Sequence, residues 1–198
     1  MKIKLLIFAC LLALGYYYWQ NDQPLTHEGE GQIAKEQPVQ KTSNAKPFSF
    51  GDGYLITPLA DFSITARVLS KERYRMDEGV KLVPVDLALG WGPMSDDAVL
   101  SKLEISQRNR WFYWRCDSYP IPRDQIEHNA ANMHLIPGDD DIEKKIKGVK
   151  SGSLVRFSGY LVRADRPDGW KWESSLSRTD TGDHSCELVF VKIFDVIE

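Results

Sequence analysis

Cysteine is scarce in this chain, with Cys10, Cys116 and Cys186 the only three in 198 residues, too few for the disulfide-dense scaffold of a small secreted domain. Histidine is limited to four residues, which leaves little material for a metal centre. No glycine-rich phosphate loop, dinucleotide fingerprint, HExxH helix or nucleophile elbow occurs, so no reaction is named by a motif. Neither sign of charge dominates, the formal net charge being −3, and a broad phosphate-binding face is thereby disfavoured. No internal repeat is evident. What is there in quantity is core material: 42% hydrophobic and 11% aromatic residues exclude wholesale disorder.

Lys2 and Lys4 precede an uncharged run, Leu5 to Trp19, that ends in Tyr16, Tyr17, Tyr18 and Trp19. The run is continuous rather than periodic and reads as a membrane helix. Fifteen residues rise only about 22 Å, short of the ~30 Å hydrocarbon core unless Lys4 snorkels and the aromatic end reaches the interface. A signal segment cut near Gly15 therefore stays open. The aromatic cluster favours retention, since Tyr and Trp settle at headgroup level. Basic residues lie before the run and none follows until Lys35, which by the positive-inside rule leaves the amino terminus in the cytoplasm. The expectation is a signal-anchored, single-pass protein of the inner (cytoplasmic) membrane, residues 1–19 forming the anchor and the carboxy-terminal domain facing the periplasm.

Residues 20–47 contain no aromatic residue and few aliphatics, a composition that reads as a flexible linker with a reach of about 30 Å. His27 is expected to be solvated within it. Residues 48–198 form the expected β-rich domain. Phe62, Ile64, Ala66 and Val68 alternate with polar residues, as do Val83, Val85, Leu87, Leu89 and Trp91, the period of a half-buried strand. Ser95, Asp96 and Asp97 look like the capped start of a short helix. A strand follows from Trp111 to Cys116. Pro122 opens a second helix carrying Ile126, Ala130 and Met133, and the acidic run from Asp139 a third, with Ile142, Ile146 and Val149 on its apolar face. Arg166 to Gly169 turns one strand into the next, and Leu188 to Phe194, apolar on both faces, reads as a central strand. The fold class is α+β, mainly antiparallel β: a small OB-like barrel or curled sheet with two or three short helices, after the amino-terminal membrane helix.

Gly152, Val155, Gly159, Tyr160 and Leu161, preceded by a helix, resemble the glycine-punctuated strands of OB-fold barrels. His134, Leu135, Ile136 and Pro137, taken with Ser174, Ser175, Arg178, Asp180, Gly182, Cys186 and Glu187, resemble uncharacterised membrane-anchored bacterial proteins with such a domain. The resemblance implies a fold and a location but no activity, and OB-like barrels as a class take oligonucleotides, oligosaccharides or protein segments.

Three constellations carry candidate chemistry. Cys116 and Cys186 are the domain's two cysteines and form a possible disulfide if exported; together with His128, His134 and His184 they are the alternative ligands of a zinc site, although their spacing matches no ligand pattern. His134, Asp180 and His184 are the residues of a conceivable exported hydrolase. Arg108, Arg110 and Arg115 interleave with Trp111 and Tyr113 in the densest basic-aromatic stretch, suited to stacking on bases or sugar rings. The domain carries net −4, since residues 1–47 contribute +1 of the chain's −3, which weighs against nucleic acid. The reading is a non-catalytic binding module of the cell envelope, tethered to the membrane through residues 5–19, with an envelope protein or glycan as partner and no cofactor. The hydrolase and a nucleic-acid or glycan binder using the 108–115 strand are the alternatives.

Overall fold

The computed structural model describes residues 23–177, 180 and 185–197, together with Phe8, Leu12, Gly15 and Tyr16. The elements run β1 (Val39–Thr42), β2 (Phe48–Phe50), β3 (Tyr54–Arg73), β4 (Val85–Gly90), a 3-10 turn (Gly92–Ser95), α1 (Asp97–Leu100), β5 (Glu104–Arg108), β6 (Trp111–Arg115), α2 (Arg123–His128), β7 (Ala130–Pro137), α3 (Asp140–Gly148), β8 (Leu154–Asp165), β9 (Lys171–Glu173) and β10 (Glu187–Val196). The result is a mostly antiparallel, mixed β-sheet with three short helices among the described residues, in keeping with the α+β class.

The membrane expectation fails. Among the described residues no helix is long and apolar enough to cross a membrane, so the single-pass, inner-membrane placement is unsupported. Apart from Phe8, Leu12, Gly15 and Tyr16, the anchor segment 5–19 lies outside the described residues. Its apolar run falls about 8 Å short of the hydrocarbon thickness in any case.

The main sheet runs β1-β3-β4-β7-β10-β8-β9, with β2 also on β3, and a further pairing of β3 with β8 joins the path into a circuit. β3 makes the circuit possible. Its inward residues recur every second position, Tyr54, Ile56, Ala60, Phe62, Ile64, Ala66 and Val68 all being buried, as the alternation requires. Register shifts between Pro58 and Ala60 against β8, and between Val68 and Ser70 against β4, bend the strand so that one end serves each neighbour. β10 lies between β7 and β8, parallel to the first and antiparallel to the second; Leu188 to Val191, flanked on both sides, are buried on both faces, whereas Lys192 and Ile193, beyond the β7 pairing, are exposed.

α3 covers one end of the main core. The Asp139 carboxylate accepts from the Ile142 amide at 2.8 Å, and Ile142 and Ile146 are buried against the sheet, each contributing about 1.5–3 kcal/mol. α2 is shorter than the apolar spacing suggests. It stops at His128, and Ala130 and Met133, expected on its face, belong to β7 instead; the run Met133 to Leu135 pairs with both β4 and β10, and that ladder prevails over local helical periodicity.

The stretch expected to be a solvated tether is docked from Leu25 onward. The Leu25 amide donates to the Ser151 carbonyl at 2.8 Å, and Gly92 donates to the Ala34 carbonyl at 2.7 Å. Buried Arg67 donates to the Leu25 carbonyl at 3.1 Å and pairs with Asp97. His27 is only 8% exposed, with Nε2 at 3.0 Å from the Gly152 carbonyl oxygen. β1 then joins β3. Composition misses this because backbone groups, not apolar side chains, make most of the attachment.

Candidate functional site

β5 and β6 form a separate two-stranded hairpin joined by Asn109 and Arg110, at φ 53° and 66°. Two successive residues at positive φ make the tight turn whose twist suits a hairpin. Asn tolerates that conformation, whereas arginine adopts it only when its surroundings compensate. Here they do. The Arg110 guanidinium donates to both Asp77 carboxylate oxygens at 2.8 and 2.9 Å, to Asp86 at 2.9 Å and to the Val83 carbonyl at 2.9 Å. Its face lies 3.6 Å from the Tyr74 ring centroid, and its own amide donates to the Tyr74 hydroxyl at 3.0 Å.

Asp86 is the centre of this network and is fully buried. β4 and β7 place it directly opposite His134, whose Nδ1 is 2.9 Å from the second carboxylate oxygen. Asn132 donates to the Arg110 carbonyl at 3.0 Å and accepts from Gln107 at 2.6 Å, tying β5 to β7. The Tyr74 phenol is pushed well above its ordinary range, first by burial and then by the Asp86 charge. His134 is 3% exposed and lies against Trp172, ring centroids 4.7 Å apart. Of the hydrolase residues, His134 therefore has Asp86 as its carboxylate, Asp180 accepts from Ser175 at 2.6 Å, and His184 lies outside the described residues. The imidazole is thus enclosed between Asp86 and Trp172.

Between the hairpin and the main sheet lies a cleft of about 180 Å³. β6 supplies Trp111, Phe112 and Trp114; β7 supplies Ala130, Ala131 and Asn132; the entrance to β10 supplies Ser185, Cys186 and Glu187; Glu127 of α2, Ser177 and Asp180 complete the polar part. Trp91 forms the floor, 1% exposed, with its indole N–H donating to Gln37 at 2.8 Å. The Cys186 thiol is pushed up to about 12 by burial and then by the Glu187 charge. Cys116 and Cys186 are both free, so the possible disulfide is not formed. Among the described residues no group of three His, Cys, Asp or Glu is gathered to hold a metal ion.

The basic-aromatic stretch divides over two faces because it is a strand. Phe112 and Trp114 share one face of β6, whereas Trp111, paired with Arg108 across the hairpin, is on the other face with Tyr113 and Arg115 and also borders the cleft. Arg108 lies 5.0 Å over Tyr113, which is 40% exposed, and exposed Arg115 pairs with Glu104, so these three sit on the outward face. Arg110 is committed to Asp77 and Asp86 and is not open to a ligand. Sequence reasoning passed over Trp91, Phe112, Trp114 and Glu127 as a set. The signal for Phe112 and Trp114 was the same alternation, read one residue out of phase.

No protein-family model, curated protein or solved structure matches this chain.

Proposed function

We propose that this protein is a non-catalytic binding module on a small OB-like barrel, with the tryptophan-walled cleft as its ligand site. The strand circuit β3-β4-β7-β10-β8, the parallel β7/β10 pair and α3 between β7 and β8 support the barrel reading, since five strands in that arrangement are the plan of an OB fold. The cleft stands on the third of those strands and on the chain between the fourth and fifth, where such barrels take their ligands. The observation that carries the reading is the gathering of Trp111, Phe112 and Trp114 around a concavity floored by Trp91. Large aromatic faces left half-open beside polar groups are what ligand sites are made of. Enclosure of His134 favours binding over hydrolysis.

The test is tryptophan fluorescence of the full chain titrated with short oligosaccharides, basic peptides and single-stranded oligonucleotides. At least one class saturates, and Trp111→Ala and Trp114→Ala abolish its response. A chain that responds to none, or responds equally in both variants, refutes the proposal.

A further inference from the structure

We infer that the cleft takes a single neutral, hydroxyl-rich ring, the pyranose unit of a saccharide, stacked on the β6 aromatics Phe112 and Trp114; this rests on the cleft being the binding site. Size is the first ground. About 180 Å³ lies below the roughly 300–1,000 Å³ of drug-sized pockets and admits one ring with the rest of an oligomer outside. Shape is the second. Phe112 and Trp114, two residues apart and so on one face of β6, line the cleft and offer apolar ring surface, against which the C–H face of a pyranose buries apolar area without desolvating its hydroxyls.

The polar lining decides between ligand classes. A sugar hydroxyl is a donor that needs an acceptor, and a carboxylate has about four lone-pair sites. Glu127 spends one on Arg123 at 2.8 Å and Asp180 one on Ser175 at 2.6 Å, which leaves both able to accept from hydroxyls at the rim. The Arg123 ion pair offsets the Glu127 charge toward ligands of either sign. A phosphate is repelled by Asp180 and buried Glu187. Asn132 is held by Gln107 and the Arg110 carbonyl and presents a fixed floor rather than an adaptable arm.

The experiment titrates the full chain with methyl glycosides of glucose, galactose, mannose and N-acetylglucosamine, and in parallel with arginine methyl ester and a dinucleotide, by calorimetry and tryptophan fluorescence. At least one glycoside binds in the millimolar range normal for so few buried contacts. Trp114→Ala weakens it at least tenfold, Trp114→Phe retains most of the affinity and guards against a folding artefact, Glu127→Gln weakens it severalfold, and Tyr113→Ala on the outward face leaves it unchanged. Tryptophan-dependent binding of the amine or the dinucleotide with no glycoside bound overturns the inference and leaves the binding-module reading standing. Glycoside binding indifferent to both Phe112 and Trp114 overturns it too. Silence from every probe overturns both.

Discussion

Replacing Arg110 separates two effects that coincide at one residue. Arg110→Ala removes the cation from a fully buried Asp86 and leaves a bulky Cβ at positive φ. Breaking a buried pair on one side costs about 3–5 kcal/mol, because the remaining charge is stranded without solvent. Asp86 keeps Asn132 at 3.4 Å and His134 at 2.9 Å, so the lower end applies. In a domain of this size roughly 3 kcal/mol lowers Tm by about 6–12 °C. Arg110→Gly loses the same guanidinium but relieves the left-handed backbone, worth about 1 kcal/mol, and should therefore melt a few degrees above the alanine variant while staying below the parent. Arg110→Lys keeps a charge but loses the planar fork that reaches Asp77, Asp86 and the Val83 carbonyl together, and falls between. Thermal unfolding at neutral pH by circular dichroism reads all three. A parent-like melt for Arg110→Ala refutes the buried-network account, and a parent-like melt for Arg110→Gly reduces Arg110 to a turn residue whose side chain contributes nothing.

Gly152→Ala should destabilise by about 1–3 kcal/mol, since a Cβ there would stand 2.0 Å from the Leu25 carbonyl oxygen at a φ of +87°; the docked amino-terminal stretch is displaced, and trypsin should cut faster at Lys35. Asp139→Ala removes the cap of α3 and should cost about 1 kcal/mol, a Tm loss of roughly 2–4 °C. Cys186, with its thiol pushed up to about 12, should resist alkylation at pH 8 in the folded chain and label fully in denaturant, as peptide mass mapping would read. The sign of its pH linkage follows: the folded thiol holds its proton where the unfolded one, near 9, has lost it, so this contribution to stability is complete below about pH 9 and disappears as pH rises to about 12.

The alternation of β3 and β4, the turn at Arg166 to Gly169 and the face of α3 were legible because each is set by neighbours in sequence. Ala130 to Pro137 was not, since a short apolar run carries no periodicity that distinguishes strand from helix until its partners β4 and β10 are known. The docked stretch from Leu25 escaped for a related reason: its attachment is to groups distant in sequence, at Arg67, Gly92, Ser151 and Gly152. At the site, the aromatic density around Trp111 was visible, but which side of the strand faced a cleft was not. Asp86 is the clearest loss. A single acid between Val85 and Leu87 in an otherwise apolar strand is itself a signal, because a lone carboxylate buried among aliphatics requires a partner, and that requirement leads to Arg110.

β3 passes through both hydrophobic clusters, giving Phe62, Ile64 and Val68 to one and Tyr54 and Ile56 to the other. The two clusters therefore share a spine, and opening either one disturbs the pairing of that strand. Loss of order at one end should therefore be felt along the same backbone at the other, and hydrogen exchange should show the two clusters opening together. Ligand gained at the cleft, on the β7 side of this spine, would be felt as added protection at the far end of the sheet, without any movement in between.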